Sequence, residues 1–394
     1  MRDAVIVQAV RTPNGKGRDR GALTGVHPVE LLGHTLRELI DRSDVDPSAV
    51  DDVIGGCVEQ VGEQAKNITR WAWLTAGLPE SVPATTVDRQ CGSSQQAVHF
   101  AAQGVLSGAY EMAVACGVES MSRVPMGSHT PPGTDPFGPG IVQRYPGGLV
   151  HPGISAELVA AQWSLSRAEM DAYAATSHQK AAAAYAEGRL RSEIVPVSTT
   201  RGTVTADESV RPDATPESLS KLRPAFADPE VSDRFPQIEW SVTAGNSSPL
   251  SDGASAVLIT TSANAHRLGL KPLARLHSFA AAGADPLLML TGIIPATEQV
   301  LRRAGLELSD IDLFEVSEAF ASVVLAWLKE TGADTEKVNV NGGAIALGHP
   351  VGASGTRLMA SLVHSMRGRG ARYGLQTMCE AGGLANATIL EALY

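Results

Sequence analysis

Two thiols and one imidazole stand out by type and setting. Cys91 lies in Thr85-Thr86-Val87-Asp88-Arg89-Gln90-Cys91-Gly92-Ser93-Ser94, directly before a stretch with helical periodicity. A thiol at a helix start meets unpaired N–H groups and the positive end of the dipole, which favours thiolate and hence a nucleophile. A free thiol (pKa about 8.5) is barely ionised at neutral pH, so such a nucleophile also calls for a nearby base. His349 sits in Asn341-Gly342-Gly343-Ala344-Ile345-Ala346-Leu347-Gly348-His349-Pro350-Val351-Gly352-Ala353-Ser354-Gly355. Glycines on both sides let backbone approach a ligand and fix the ring on a shaped turn, again before a helix start. A glycine-rich loop also invites a phosphate, but this one has no Walker lysine, and no G-x-G-x-x-G follows the first strand. Cys379 closes a strand-like run in Met378-Cys379-Glu380-Ala381-Gly382-Gly383. It is either a small core residue or a thiol that gains and loses a proton.

These groups need elements to hold them. The 394-residue chain is 43% hydrophobic and 19% charged, which excludes disorder and suits two or three domains at roughly 100–200 residues each. Its 32 basic and 42 acidic residues give a net charge of −10, which argues against nucleic acid or an anionic membrane as the main partner. No apolar run approaches the ~18 residues of a membrane span. Met1-Arg2-Asp3 passes straight into the strand-like Ala4-Val5-Ile6-Val7, leaving no room for a signal peptide. Cys57, Cys91, Cys116 and Cys379 lie far apart with no metal-ligand spacing, which fits a reducing cytoplasm.

Periodicity predicts strands at 4–10, 112–117 and 373–379. Helices are expected on Val29, Leu32, Leu36 and Leu39; on Ala97, Val98, Ala101 and Val105; on Phe320, Val323, Val324 and Trp327; and on Leu358, Met359 and Leu362. Such alternation argues for sheets covered by helices. The two ends also resemble one another. Pro28 opens a helix leading to 45–54, Pro295 opens one leading to 306–315, and each half then has a strand ending in Cys, Cys116 or Cys379. The expected division is two like halves, 1–118 with 250–268 and 269–394, around an inserted loop domain at 119–249. Pro and Gly crowd 125–153 there and an Ala-rich helix covers about 168–187.

Ala9-Val10-Arg11-Thr12-Pro13, Asp88-Arg89-Gln90-Cys91-Gly92-Ser93, Gly348-His349-Pro350 and Cys379 together resemble the thiolase family of acetyl-CoA C-acyltransferases, over the entire chain. The resemblance implies an α/β fold of five α-β-α-β-α layers, duplicated, with the loop domain inserted in the first half, and a homodimer or homotetramer. It implies an acyltransferase that cleaves a 3-oxoacyl-CoA with CoA to acetyl-CoA and a shortened acyl-CoA, as in fatty acid β-oxidation, or runs the reverse Claisen condensation. Cys91 would carry the acyl group as a thioester. His349 would take its proton and help hold the thioester oxygen, and Cys379 would exchange a proton with the acetyl α-carbon. The enolate of a thioester needs hydrogen-bond donors at its oxygen rather than a metal. CoA and acyl-CoA enter as substrates, with no cofactor bound permanently.

The family's Asn-Glu-Ala-Phe motif reads Ser317-Glu318-Ala319-Phe320 here. Ser317 is therefore expected to hold the water that the family's Asn holds, with slower turnover. Ala381 stands where the family often has Gly and would crowd the second oxyanion hole. By residue match, Arg211 would meet the nucleotide end of CoA, while Ser218 and Ser248 would line the pantetheine channel; Met126, at the start of the lid, either touches the acyl chain or simply packs. A β-ketoacyl synthase shares the duplicated fold and the helix-start Cys but pairs it with two His, or His and Asn. Cys379 favours the thiolase reading.

Overall fold

The computed structural model describes residues 2–393. The chain begins β1 (Val5–Arg11), β2 (Gly15–Lys16), α1 (Pro28–Ser43), β3 (Asp52–Gly56), α2 (Ile68–Thr75), β4 (Ala84–Val87), α3 (Ser93–Ser107) and β5 (Met112–Ser120). A long excursion follows with α4 (Gly138–Arg144), α5 (Pro152–Gln162), α6 (Arg167–Ala186), β6 (Val197–Thr199), β7 (Gly202–Val204), α7 (Pro216–Leu219) and α8 (Pro229–Arg234). The chain returns through β8 (Ser251–Thr260), α9 (Ser262–Arg267) and β9 (Ala274–Gly283). It ends with α10 (Ile293–Ala304), β10 (Leu313–Val316), α11 (Ala321–Thr331), α12 (Ala344–Leu347), α13 (Ser354–Arg369), β11 (Tyr373–Glu380) and β12 (Leu384–Ala392).

The main sheet runs β10-β11-β12-β9-β1-β8-β5-β3-β4, with β2 on β8. Its two halves join where β1 meets β9 through Val5–Arg275 and Ile6–Ala274. Helices α3 and α13 lie between the half-sheets. Ala97, Val98, Ala101 and Val105 of α3 and Met359, Leu362 and Val363 of α13 share one cluster with Ile6, Ala113, Ile259, Leu276 and Leu390. The alanines and glycines in these helices have a steric cause: a Cβ on Gly355 would lie 2.1 Å from the backbone N of Gln95. Leu32, Leu36, Leu39 and Trp73 cover one outer face, and Ile293, Val300, Val324 and Trp327 the other. Each fully buried Leu or Val contributes ~1.5–3 kcal/mol over exposure. The result is five layers, α-β-α-β-α.

Local signals set the ends of these helices. Pro28 occupies the first turn of α1, His27 Nδ1 accepts from Val29 N, and Asp44 closes the helix in the left-handed region. Ser166 and Glu169 form a reciprocal capping box on α6.

The duplication keeps one spacing. Pro47 and Leu308, Asp52 and Leu313, Ser93 and Ser354, and Met112 and Tyr373, each the start of an equivalent element, stand 261 positions apart. Two details of the sequence reading change. Pro295 is the third residue of α10, and a tight turn at Met289–Gly292 opens that segment instead. Cys116 does not end its strand, because β5 continues to Ser120; Cys379 is therefore level with Val118, and Glu380 with Glu119.

Buried charge ties the excursion to β1. Arg11, fully buried, pairs with Glu193 at 2.7 Å and with both carboxylate oxygens of Asp207 at 2.8 and 3.0 Å. Paired and hydrogen-bonded, these charges are tolerated in the interior, where a single one would not be.

Candidate active site

Cys91 is delivered by a tight turn. Gln90 adopts φ +49°, an uncommon conformation for a residue with a side chain, of the kind that clusters at functional sites. Asp88 Oδ1 accepts from Gln90 N at 2.6 Å; Ser93 Oγ accepts from Arg89 N at 2.9 Å and donates to Gln90 O at 2.6 Å. Cys91 packs against Val58, Met121 and Val351, the last of these two residues beyond His349. The residue is half-buried.

That crowding overturns the expected thiolate. Burial pushes the Cys91 thiol upward, and the nearby Cys379 and Glu380 add to the rise. Losing water outweighs the helix end, because an ion deprived of solvent costs more than a partial dipole returns. Cys379, fully buried at the end of β11, is pushed up to about 12 by burial and then by Glu380, with the Ser317 hydroxyl acting in the opposite direction. Cys379, from the other half, thus lies close enough for its charge to oppose ionisation of Cys91.

His349 is held from both sides. Its N–H donates to Ser251 Oγ at 2.9 Å, and Leu250 pairs with it as an isolated β-bridge. Its Nδ1 lies 2.6 Å from Ser354 Oγ, which itself donates to Pro350 O at 2.9 Å. Ser354 has one proton, so Nδ1 must donate, and Nε2 is left as the free acceptor. Nε2 is buried and has no partner among the described residues. Burial, with Arg357 adding to it, lowers the ring to about 3. At neutral pH the imidazole is uncharged, the state a base requires.

Ser317 follows β10, its N–H donating to Thr377 O at 3.0 Å. Its buried hydroxyl has no well-formed hydrogen bond among the described residues, although it faces the Cys379 thiol. Glu318 fixes this turn: it accepts from Tyr173 Oη, Ser177 Oγ and Asn339 Nδ2, each at 2.8 Å, and from Ile345 N at 3.1 Å. It thereby binds α6 and the start of α12 to the Ser317 loop.

The remaining sequence candidates are not gathered into one cluster. Ser248 N donates to Ala319 O at 3.0 Å, which sets Ser248 against the Ser317 loop. Arg211 is exposed and shares a cleft of about 430 Å³ with Lys16, Arg18 and Leu250, the residue that bridges His349. Ser218 is exposed, and its hydroxyl is already engaged with Thr215 in a helix cap. Met126 is exposed. Cys57 and Cys116 are buried, the former beside Glu119.

Sequence reasoning gave no part to Ser354, Ser251 or Glu119. Glu119 accepts from Val58 N and Gly352 N, clamping the Cys91 side to the His349 turn. Ser354 stood within the quoted glycine-rich run, five residues after the ring, and that spacing at a helix start was the available signal. Among the described residues no three His, Cys, Asp or Glu side chains group as a metal site, and no helix is long and apolar enough to cross a membrane.

A duplicated α/β scaffold that brings a cysteine from each half within electrostatic reach, with the turn after a neutral imidazole packed on one of them through Val351, is suited to acyl transfer through thioesters. Comparison with known proteins agrees. The model of the thiolase N-terminal domain matches residues 4–263, and that of the thiolase C-terminal domain residues 270–392. A steroid 3-ketoacyl-CoA thiolase of Mycobacterium tuberculosis is 47% identical over 400 residues, covering 100% of this chain and 95% of the relative. A 3-ketoacyl-CoA thiolase of Bacillus subtilis is 43% identical, covering 99% and 100%, and one of Erwinia tasmaniensis 45%, covering 100% of both. The chain belongs to the thiolase family of acyltransferases.

Proposed function

We propose that this protein cleaves a 3-oxoacyl-CoA with CoA to acetyl-CoA and a shortened acyl-CoA, and catalyses the reverse condensation, through an acyl-thioester on Cys91. The reading is supported by Cys379 acting on Cys91, by Val351 of the His349 turn packing against Cys91, and by a ring whose Nδ1 is engaged and whose Nε2 is free. His349 Nε2 takes the Cys91 proton as the sulfur attacks the 3-keto carbon. The C2–C3 bond breaks, the acyl group stays on sulfur, and Cys379 protonates the departing acetyl-CoA carbanion. The incoming CoA thiol gives its proton to the Cys379 thiolate and attacks the thioester; Cys91 leaves and recovers its proton from His349. Neutral thiols and a neutral ring at rest mean that each proton moves with bond making rather than before it. Ser317 holds a water that, with His349 Nε2–H, faces the developing oxyanion.

CoA and its thioesters are substrates rather than resident cofactors. Arg211, with Lys16 and Arg18 in the same cleft, is assigned to the phosphates, and Ser248 to the pantetheine arm. Ser218 acts through the turn it caps, since its hydroxyl is already engaged. The halves 1–118 with 250–268 and 269–394, with the insert 119–249, are the assigned domains. The enzyme is read as a cytoplasmic homodimer or homotetramer, which sedimentation of the purified protein checks. Incubation with acetoacetyl-CoA and CoA, with the mass of the Cys91 peptide followed, tests the chemistry. An acyl adduct on Cys91 and release of acetyl-CoA are expected, and finding neither refutes the reading. One relative is named for steroid substrates, so a polycyclic 3-oxoacyl-CoA belongs in the same panel.

A further inference from the structure

Glu380 and Glu119 hold equivalent places on β11 and β5, 261 positions apart, and both are fully buried. Their surroundings differ. Glu119 accepts from the N–H groups of Val58, Glu59 and Gly352 and from Gln64 Nε2, at 2.6–3.2 Å. Glu380 Oε2 has no partner among the described residues. Its carboxyl rests on the backbone of Gly92, where a Cβ would lie 1.8 Å from Oε1 and 2.5 Å from the carboxyl carbon. Only glycine leaves room for the acid there. Glu380 is thus bonded directly to Cys379 and packed on the residue bonded to Cys91. Asn386 of β12, with its amide turned to satisfy both ends, donates to Oε1 at 3.1 Å. The charged and titratable groups around it are Asp88 and Arg89 in the turn before α3, the two thiols, and His99 beyond Asn386.

We infer that Glu380 is a positioning residue whose carboxyl, packed on Gly92 next to Cys91 and one residue along β11 from Cys379, governs how readily both ionise; this rests on the reading of Cys91 and Cys379 as the reacting thiols. As a neutral acid it adds no charge beside a developing thiolate. As a carboxylate it opposes both, through Coulomb repulsion in a site with little water to screen it. Burial favours the neutral acid and raises its titration, while Arg89 pulls the other way.

The test is the rate of Cys91 alkylation by iodoacetamide against pH, read from the peptide mass, in the wild type, Glu380→Gln and Glu380→Asp. The Gln variant should alkylate along a curve shifted about one pH unit lower, roughly tenfold faster where the wild-type carboxylate is ionised. The shorter Asp withdraws the charge from Gly92 and should give a smaller shift in the same direction; it also keeps the test usable if Gln does not fold. In acyl transfer, Glu380→Gln should extend the kcat pH profile with KM unchanged. Superimposable alkylation curves for all three proteins overturn the inference. A shifted curve without acyl transfer counts against the proposed function alone, and unshifted curves with acyl transfer intact count against the role of Glu380 alone.

Discussion

Replacing Ser354 by Ala tests whether the tautomer of His349 is what makes it a base. In the native site the Ser354 proton goes to Pro350 O, so its oxygen can only accept from Nδ1–H, at 2.6 Å. The alanine variant leaves Nδ1–H buried without an acceptor, a desolvation cost of about 1–3 kcal/mol. Nε2 is equally buried and unpartnered, so the ring loses the acceptor that fixes both its tautomer and its orientation, and a proton resting on Nε2 disables it as acceptor of the Cys91 proton. The hydrogen bond lost is worth about 0.5–1.5 kcal/mol, so kcat should fall about two- to tenfold. KM should change less than threefold, since the hydroxyl is fully buried and bonded to the ring and Pro350. Single-turnover acylation of Cys91 with a 3-oxoacyl-CoA, quenched and read by mass, isolates the affected step. The reasoning is refuted if Ser354→Ala acylates within twofold of wild type, or if its whole defect lies in KM.

Other expectations follow from the same geometry. Ser317→Asn should raise kcat about three- to tenfold and Ser317→Ala should lower it by a similar factor, with His349→Ala nearly inactive; steady-state kinetics on one 3-oxoacyl-CoA decides. Asp207→Asn removes one of the two carboxylates opposite a buried guanidinium, and urea unfolding should show a loss of about 3–5 kcal/mol. His99, buried against Phe279 and hydrogen-bonded to Thr388, is lowered to about 3. Between pH 6.5 and about 3 the unfolded chain takes up a proton there that the folded chain refuses, so stability falls as pH drops through that window. At pH 5 the wild type should have lost about 2 kcal/mol relative to His99→Gln, compared with the same pair at pH 8, in paired denaturation curves.

The sequence made the duplicated scaffold legible because the central helices must be small-sided where they touch. The alanines of α3 and Gly355 of α13 are residues that such a contact selects. Cys91, His349 and Cys379 were legible for another reason: each sits at an abrupt junction between elements, which leaves a mark in glycines and periodicity. What could not be read was the sign of the electrostatics. A helix start is a local property of the chain, and it argued for a thiolate at Cys91. The opposing desolvation comes from Val58, Met121 and Val351, and Cys379 adds its charge; these are residues distant in sequence that only the fold assembles. Hydrogen-bond partners such as Ser251 for His349 and Tyr173 for Glu318 were hidden for the same reason.

The two halves also show how duplication separates structure from chemistry. At one position, Glu119, the carboxylate is saturated by donors from both sides of the site and serves as a clamp. At its counterpart, Glu380, Oε2 has no partner among the described residues, and the carboxyl packs on Gly92. An unsatisfied buried acid is costly, by about 1–3 kcal/mol for a neutral group and more if charged. A fold seeking only stability would lose nothing by placing an apolar residue there. That the acid packs on Gly92 beside one cysteine and follows the other along β11 ties its cost to the reaction rather than to the fold, and Glu380→Leu supplies the contrast. It should match or exceed the wild type in resistance to urea while losing the pH dependence that the carboxyl imposes on thiol reactivity. A Leu variant that is less stable and keeps the wild-type alkylation profile would reverse that assignment and make Glu380 a structural residue.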